Sequence, residues 1–137
     1  MRWIVDGMNV IGSRPDGWWK DRQRAMALLV ERLDRWAVTG AAQGERVTVV
    51  FERPPRTPWR ASAIEVAHAP AAAPNSADDE IVRLVQTDAD PGAIRVVTSD
   101  KALVDRVRSL GAQVYRAERF RELIDPRDAG AGEPAAD

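Results

Sequence analysis

The chain has 137 residues and a formal net charge of −1, with 45% hydrophobic and 30% charged residues, which is the composition of one globular domain. It has no cysteine and a single histidine, so disulfides, thiolate zinc sites and a cysteine nucleophile are excluded, and any chemistry must rest on carboxylates. No apolar run is long enough to cross a bilayer, and the first one stops at Asp6, so we expect no membrane contact, no signal peptide and a cytoplasmic protein.

The first part of the chain predicts two strands and a long helix. Arg2 to Val5 is a short apolar strand that ends at an Asp-Gly pair. Apolar residues recur at helical spacing from Trp19 to Val38, with Ser13 or Asp16 as the candidate cap. Arg46 to Phe51 is β-branched and apolar, as in a buried strand.

The second part continues the alternation of strands and helices. In chain order it predicts a weak strand at Ala63–Ala67, a helix at Asp78–Gln86, a strand at Ile94–Val97, a helix at Lys101–Leu110, a strand at Ala112–Tyr115 and a helix at Ala117–Ile124. From position 126 onward the chain is Ala, Gly, Pro and acid, which predicts a disordered tail at 126–137.

This alternation indicates the fold class. Continuous apolar strands separated by helices are typical of a mainly parallel sheet with helices on both faces. We therefore expect one α/β domain over residues 1–125.

Acidic residues follow several of the predicted strands. Asp6 follows the first strand, Glu52 the second and Asp100 the strand at 94–97, while Asp78 and Asp79 lie in the first turn of a helix. Ligands of open parallel sheets gather outside the carboxyl ends of the strands. Four separate segments thus bring acids to one edge of the predicted sheet.

Such a cluster predicts a cation. Carboxylates at close range cannot all stay ionised without a counter-charge. A hard divalent ion such as Mg²⁺ or Mn²⁺ takes oxygen ligands and needs no Cys or His. In phosphodiester cleavage such an ion activates a water and stabilises the leaving oxygen. The composition and the placement of the acids agree on this class of reaction.

Each acid also has a structural interpretation, and both interpretations stay open. Asp6 would make a local turn with its own backbone. Asp100 would cap the helix that follows it. Ser76 and Asp79 have the spacing of a capping box, so we assign Asp79 mainly to structure and favour Asp78 as the ligand.

The residues just after the first strand exclude two other classes of protein. Gly7 allows a tight turn that leaves the acidic edge open. An aspartyl-phosphate phosphatase would need a second acid two residues after the first, where this chain has Met8. A dinucleotide-binding domain would need a glycine-rich turn that "DGMNVIG" lacks.

The segment "RPPRTPWR" is the candidate substrate-binding loop. The net charge is near zero, so binding to a nucleic acid must rest on a local basic patch. Arg53, Arg56 and Arg60 would contact phosphates, and Trp59 would stack on an unpaired base. Lys101 directly follows Asp100 and would meet a phosphate as well. The alternative is a solvated, proline-stiffened loop with its tryptophan packed on the core, and a surface lysine.

Four segments together resemble a known family. "VDGMNVIGS", "VTVVFE", "NSADDEIVRLV" and "VVTSDKALVDRVRSLGAQV" are similar, in this order and spacing, to an NYN domain of the YacP-like branch, which is related to the PIN-domain ribonucleases. The similarity runs from Met1 to about Leu123. It implies a PIN-like three-layer α/β/α sandwich, related to Rossmann-like folds, and a metal-dependent endoribonuclease that uses Mg²⁺ or Mn²⁺.

The resemblance also implies roles for individual residues. The positions that match the family's motifs are the metal acids Asp6, Asp78 and Asp100, the adjacent amide Asn9, and the turn-shaping pair Thr98 and Ser99. Two positions depart from the pattern. Glu52 stands where the family usually has Asp, so it would act directly or through water, and Met8 stands where the family often has an aromatic residue.

Two functions remain from different classes. The leading hypothesis is a hydrolase that cleaves RNA, preferably single-stranded. The alternative is an RNA-binding or ribosome-associated module with little or no catalysis. The complete set of Asp6, Asp78 and Asp100 favours the first, because a pure binding module would not need it.

Overall fold

A computed structural model of the chain describes residues 1–14, 17–39, 44–54, 61–70 and 75–125. Within these ranges five strands form one parallel sheet in the order β3-β2-β1-β4-β5. The strands are β1 Arg2–Asp6, β2 Arg46–Phe51, β3 Glu65–His68, β4 Ile94–Val97 and β5 Gln113–Tyr115. The helices are α1 Gly7–Ile11, α2 Arg22–Val38, α3 Ser76–Thr87, α4 Lys101–Ser109 and α5 Ala117–Ile124, with 3₁₀ turns at Trp18–Lys20 and Pro91–Ala93.

The sheet is covered on both faces, as the sequence pattern predicts. Trp3 and Val5 of the central strand β1 belong to a core with α1, α2 and α5. Ile4, on the opposite face of the same strand, belongs to a core with α3 and α4. The predicted α/β/α sandwich with a parallel central sheet is therefore confirmed.

An aromatic cluster forms part of the first of these cores. The Trp3 ring meets Trp36 edge-on at 5.3 Å between centroids and Tyr115 at 5.5 Å, and Phe120 lies 5.2 Å from Trp36. Such edge-to-face contacts add to the free energy gained by burial. The cluster ties α2, β5 and α5 to the central strand.

Several boundaries differ from those that the sequence predicts. Helix α2 begins at Arg22 because Asp21 is its cap, with Oδ1 accepting a hydrogen bond from the Arg24 backbone N–H at 3.0 Å. The predicted cap Ser13 is therefore wrong, and the alternative cap Asp16 lies outside the described residues. Strand β3 begins two residues later than predicted and α3 two residues earlier. The predicted tail lies outside the described residues.

One element was absent from the sequence-based prediction. The chain enters α1 at Gly7 directly after β1, instead of making a tight turn. A Cβ at position 7 would overlap the ring of Phe51, with Cδ1 only 2.7 Å away. Gly7 is thus needed for close packing of α1 against the end of β2.

No helix in the described part of the chain is long and apolar enough to cross a membrane.

We expect Gly7→Ala to lower the free energy of unfolding by about 1–3 kcal/mol, because the added methyl group must displace the fully buried Phe51 ring. Gly92→Ala is the matched control, since a Cβ there would meet only Asp90 Oδ1 at 3.6 Å. Urea unfolding followed by fluorescence measures both changes. Equal stability of the two variants would contradict the role given to Gly7.

Candidate functional site

Asp6 is the centre of the acidic edge. It is the last residue of β1, only 5% of it is exposed, and its Oδ2 accepts a hydrogen bond from the Thr98 hydroxyl at 3.0 Å. Burial, reinforced by the negative charge of Asp78, raises the pKa of Asp6 to about 7, although Thr98 and the nearby Asn9 backbone amide act to lower it. The carboxylate is therefore held in place by hydrogen bonds, but its negative charge is only partly compensated.

The turn after β4 is fixed by contacts to other elements. The Thr98 hydroxyl, which donates to Asp6, also accepts from the Asp100 backbone N–H at 3.1 Å. The Ser99 backbone N–H donates to Asn9 Oδ1 at 2.8 Å, and the Ser99 hydroxyl donates to Glu118 Oε1 at 2.7 Å. The turn is thus bound to β1, α1 and α5 at once, which agrees with the turn-shaping role expected of Thr98 and Ser99.

Asp100 is a helix cap that also faces the acidic edge. Its Oδ1 accepts from the Leu103 backbone N–H at 3.1 Å, so the capping interpretation is confirmed. Within the described residues its Oδ2 makes no hydrogen bond. The negative charge of Asp100 raises the pKa of both Asp6 and Asp78, which means that it lies near both carboxylates. One oxygen thus caps α4, and the other has no hydrogen-bond partner among the described residues.

Asp78 joins the same group from the first turn of α3. It is half-buried, and its pKa is raised first by burial and then by the charge of Asp100, with smaller contributions from Asp79 and Glu52. The positive charge of Arg106 acts in the opposite direction. Asp78 therefore interacts with these three acids and with one cation of α4.

Asp79 has a different environment. It is exposed, and its Oδ1 forms an ion pair with Arg106 at 2.9 Å. The predicted capping box with Ser76 is wrong, because α3 begins at Ser76 and the Asp79 backbone N–H donates to the Asn75 carbonyl at 3.2 Å. Asn75 starts the helix in the left-handed conformation, with φ of 64°. Asp79 thus contributes to the site mainly through Arg106.

Glu52 and two cations lie at the border of the site. Glu52 follows β2 and is half-buried, and Arg53 beside it is exposed. Lys101, the first residue of α4, is exposed next to Asp100. Within the part of the chain that the structure describes, neither cation forms an ion pair. The other predicted RNA-binding residues, Arg56, Trp59 and Arg60, lie outside the described residues.

The acids suit a divalent cation by the type of their donor atoms, and not by the distances between their side chains. Among the described residues, no three His, Cys, Asp or Glu side chains already stand close enough together to hold an ion. The available donors are carboxylate oxygens, which Mg²⁺ and Mn²⁺ prefer. Burial and repulsion by neighbouring carboxylates raise the pKa of Asp6 and of Asp78. A bound cation would lower both pKa values again.

Two residues of this region were missed by the sequence-based prediction. Glu118 holds the Ser99 hydroxyl, and this hydrogen bond lowers the pKa of Glu118. It is the third residue after β5, so a search for acids near the carboxyl ends of the strands, which identified Asp6, would have identified Glu118 too. Arg106 lies inside α4 and carries no signal in the sequence, because only the fold brings it to α3.

Comparisons with known proteins agree with this architecture. The family model described as the YacP-like NYN domain matches residues 3–133. Among solved structures, the chain is similar to Rae1 (YacP) from Bacillus subtilis, with 24% identity over 99% of this chain and 85% of that chain and a TM-score of 0.71. A point mutant of the same protein gives 25% identity over 99% and 87%, again with a TM-score of 0.71. No curated protein gives a significant match.

The buried carboxylate of Asp6 predicts an unusual dependence of stability on pH. Its pKa is about 7 in the folded state against an ordinary value of 3.8, so between these values only the folded state holds the proton, and stability falls as the pH rises. In chelator at pH 8 we expect Asp6→Asn to raise the free energy of unfolding by about 2–4 kcal/mol. The gain should shrink as the pH falls towards 4.

Asp105→Asn is the control, because Asp105 is exposed on α4 and its side chain makes no ion pair within the described ranges. Chemical unfolding from pH 4 to pH 8 measures both variants. A gain for Asp6→Asn that does not depend on pH would contradict the shifted pKa.

Proposed function

Since this chain belongs to the YacP-like NYN domain family, whose model spans residues 3–133, we propose that it is a divalent-metal-dependent endoribonuclease that hydrolyses RNA phosphodiester bonds. The resemblance drawn from the sequence motifs is confirmed, and the fold is that of a PIN-like nuclease. One observation carries the proposal. Asp6, Asp78 and Asp100, from three separate elements, interact electrostatically at the carboxyl edge of the sheet.

The proposed metal ligands are these three acids. Asp6, Asp78 and Asp100 would hold Mg²⁺ or Mn²⁺, with Glu52 acting through water and Asp79 as an outer acid paired with Arg106. When bound, such a cation lowers the pKa of a water and stabilises charge on the phosphate and the leaving oxygen. No side-chain general base is then required.

Residues around the acids would orient them and the substrate. Thr98 holds the Asp6 carboxylate, and Asn9 uses its Oδ1 to hold Ser99, which leaves its amide N–H₂ group for water or substrate. Lys101 and Arg53 are exposed beside the acids and would bind phosphates of the RNA. We propose that Arg56, Trp59 and Arg60 extend this surface along an unpaired strand.

The proposed substrate is single-stranded RNA of the cytoplasm, free or on a ribosome. A chain with a net charge of −1 does not attract nucleic acid over its whole surface. Binding must therefore come from the cations beside the acids and from stacking, which needs unpaired bases.

A second candidate function is an RNA-binding module with little or no catalysis. The observation that favours it is the absence of a preset group of three metal-binding side chains among the described residues. Such a module would bind RNA equally well with metal or with chelator. Cleavage therefore separates the two candidates.

We expect the purified protein to cleave unstructured RNA with Mn²⁺ or Mg²⁺ and to lose this activity in chelator. Asp6→Asn and Asp100→Asn should each reduce the rate by at least about 100-fold, because even residues that only orient metal ligands cost roughly 10–100-fold when replaced. Gel analysis of an end-labelled RNA measures the rates. Asp105→Asn is the matched control and should cleave at the wild-type rate.

A second readout does not depend on activity. Mn²⁺ should raise the melting temperature of the wild type by mass action but not that of Asp6→Asn. Cleavage that persists in chelator, or in both active-site variants, would rule out the metal-acid mechanism. Binding of RNA without cleavage under every condition would establish the second candidate.

A further inference from the structure

A cavity lies on the face of the sheet opposite α3 and α4. It has a volume of about 220 Å³, is open to the surface, and is bordered by α1, α2, α5 and the 3₁₀ turn before α2. Its apolar wall consists of Ile11, Trp18, Leu28, Leu29 and Ile124. Leu28 is 38% exposed, so the wall continues to the surface. No residue of the proposed metal site lines this cavity.

Three arginines and two aspartates line the cavity. One of the aspartates is the cap of α2, and two of the arginines already make contacts within the fold. Arg121 Nη1 donates to the Ile11 carbonyl at 3.2 Å, and Arg32 pairs with Asp125 at 3.5 Å. The guanidinium of Arg24 forms no ion pair within the described ranges, although it is exposed at the cavity. Arg24 is therefore the cation available to a ligand.

Trp18 gives the cavity an aromatic wall. It is half-buried against the core, and the guanidinium of Arg22 lies 5.4 Å from its ring centroid. A Cβ at Gly12 would lie 3.8 Å from Trp18 Cζ2, so the ring packs against the residue that follows α1. The ring position is thus fixed by the fold before any ligand binds.

Helix α1 connects this cavity to the acidic edge. Asp6 immediately precedes the helix, and Ile11, a residue of the cavity wall, is its last residue. Its five residues span roughly 7 Å at about 1.5 Å per residue. Asp6 is therefore separated from the cavity wall by the length of one short helix, which a few nucleotides can span.

We propose that this cavity binds one unpaired nucleotide of the RNA substrate, with the base against Trp18 and Leu28 and a phosphate at Arg24. A ligand for this site must combine a flat apolar ring with a nearby anion, as a nucleotide does. The volume suits a single base, because pockets for larger ligands start at roughly 300 Å³. The inference rests on the proposed function, since it assigns an additional contact to the same substrate.

Binding in chelator tests the site without cleavage. The probe is a fluorescein-labelled single-stranded RNA of about 12 nucleotides, and anisotropy measures its affinity. Arg24→Gln removes the cation, and Ala25→Leu fills the cavity without a change of charge. Each should weaken binding about three- to tenfold. Only Arg24→Gln should also reduce the salt dependence of log K, by about 0.7, the value for one phosphate contact on a single strand.

The controls are chosen on the same helix. Arg35→Gln changes the charge equally but removes an exposed cation that is paired with Glu31, so it should bind RNA like the wild type. Arg24→Lys keeps the charge and should restore most of the affinity. Melting temperatures show whether each variant is folded.

The outcomes separate this inference from the proposed function. If the wild type cleaves RNA and both cavity variants bind like Arg35→Gln, the cavity site is overturned and the nuclease proposal stands. If the wild type never cleaves but the cavity variants lose affinity, the cavity site stands and the nuclease proposal fails. In an active enzyme the variants should raise KM and leave kcat unchanged.

Discussion

Burial of the Asp6 carboxylate at the end of the central strand is the constraint on which the rest of the site depends. Strand β1 lies between β2 and β4, so its last side chain is enclosed by both neighbours. A charge in such a place is costly unless it is hydrogen-bonded or compensated. Thr98 supplies one hydrogen bond, and no cation of the described chain forms an ion pair with Asp6.

The turn after β4 follows from this constraint. Thr98 can donate to Asp6 only if its hydroxyl is held in one position, and the Asp100 backbone N–H helps to hold it. Asn9 and Glu118 fix Ser99 between these two residues. The structural and functional interpretations of Asp100 are therefore compatible, because capping α4 uses one carboxylate oxygen and fixes the direction of the other.

The sequence predicted those parts of the fold that depend on local patterns. Strands β2 and β4 and helix α5 have the predicted boundaries, because the two strands are short, almost continuously buried apolar runs and the helix buries residues at helical spacing. That Asp6, Asp78 and Asp100 face one edge of the sheet was predicted from two acids that follow strands and one in the first turn of a helix. Helix α1 was missed because five residues are too few to show a helical period. The Asp-Gly pair at its start is typical of a turn, whereas Gly7 in the structure makes room for the Phe51 ring.

Contacts between distant elements could not be predicted in the same way. Arg106 reaches Asp79 only because α3 and α4 pack side by side, and Asp21 rather than Ser13 caps α2 because a 3₁₀ turn intervenes. Both depend on tertiary packing, which overrides local preference. The contact of Glu118 with Ser99 is the exception, because an acid close after a strand can be recognised in the sequence.

The repulsion at the acidic edge has a consequence for the protein as a whole. Burial and the charge of Asp78 raise the pKa of Asp6, so the fold disfavours its charged form. If a cation binds at this edge as we propose, it would favour the charged form and add to the stability of the fold, because ligand binding and stability are linked. The carboxylates need not stand at metal-binding distances beforehand.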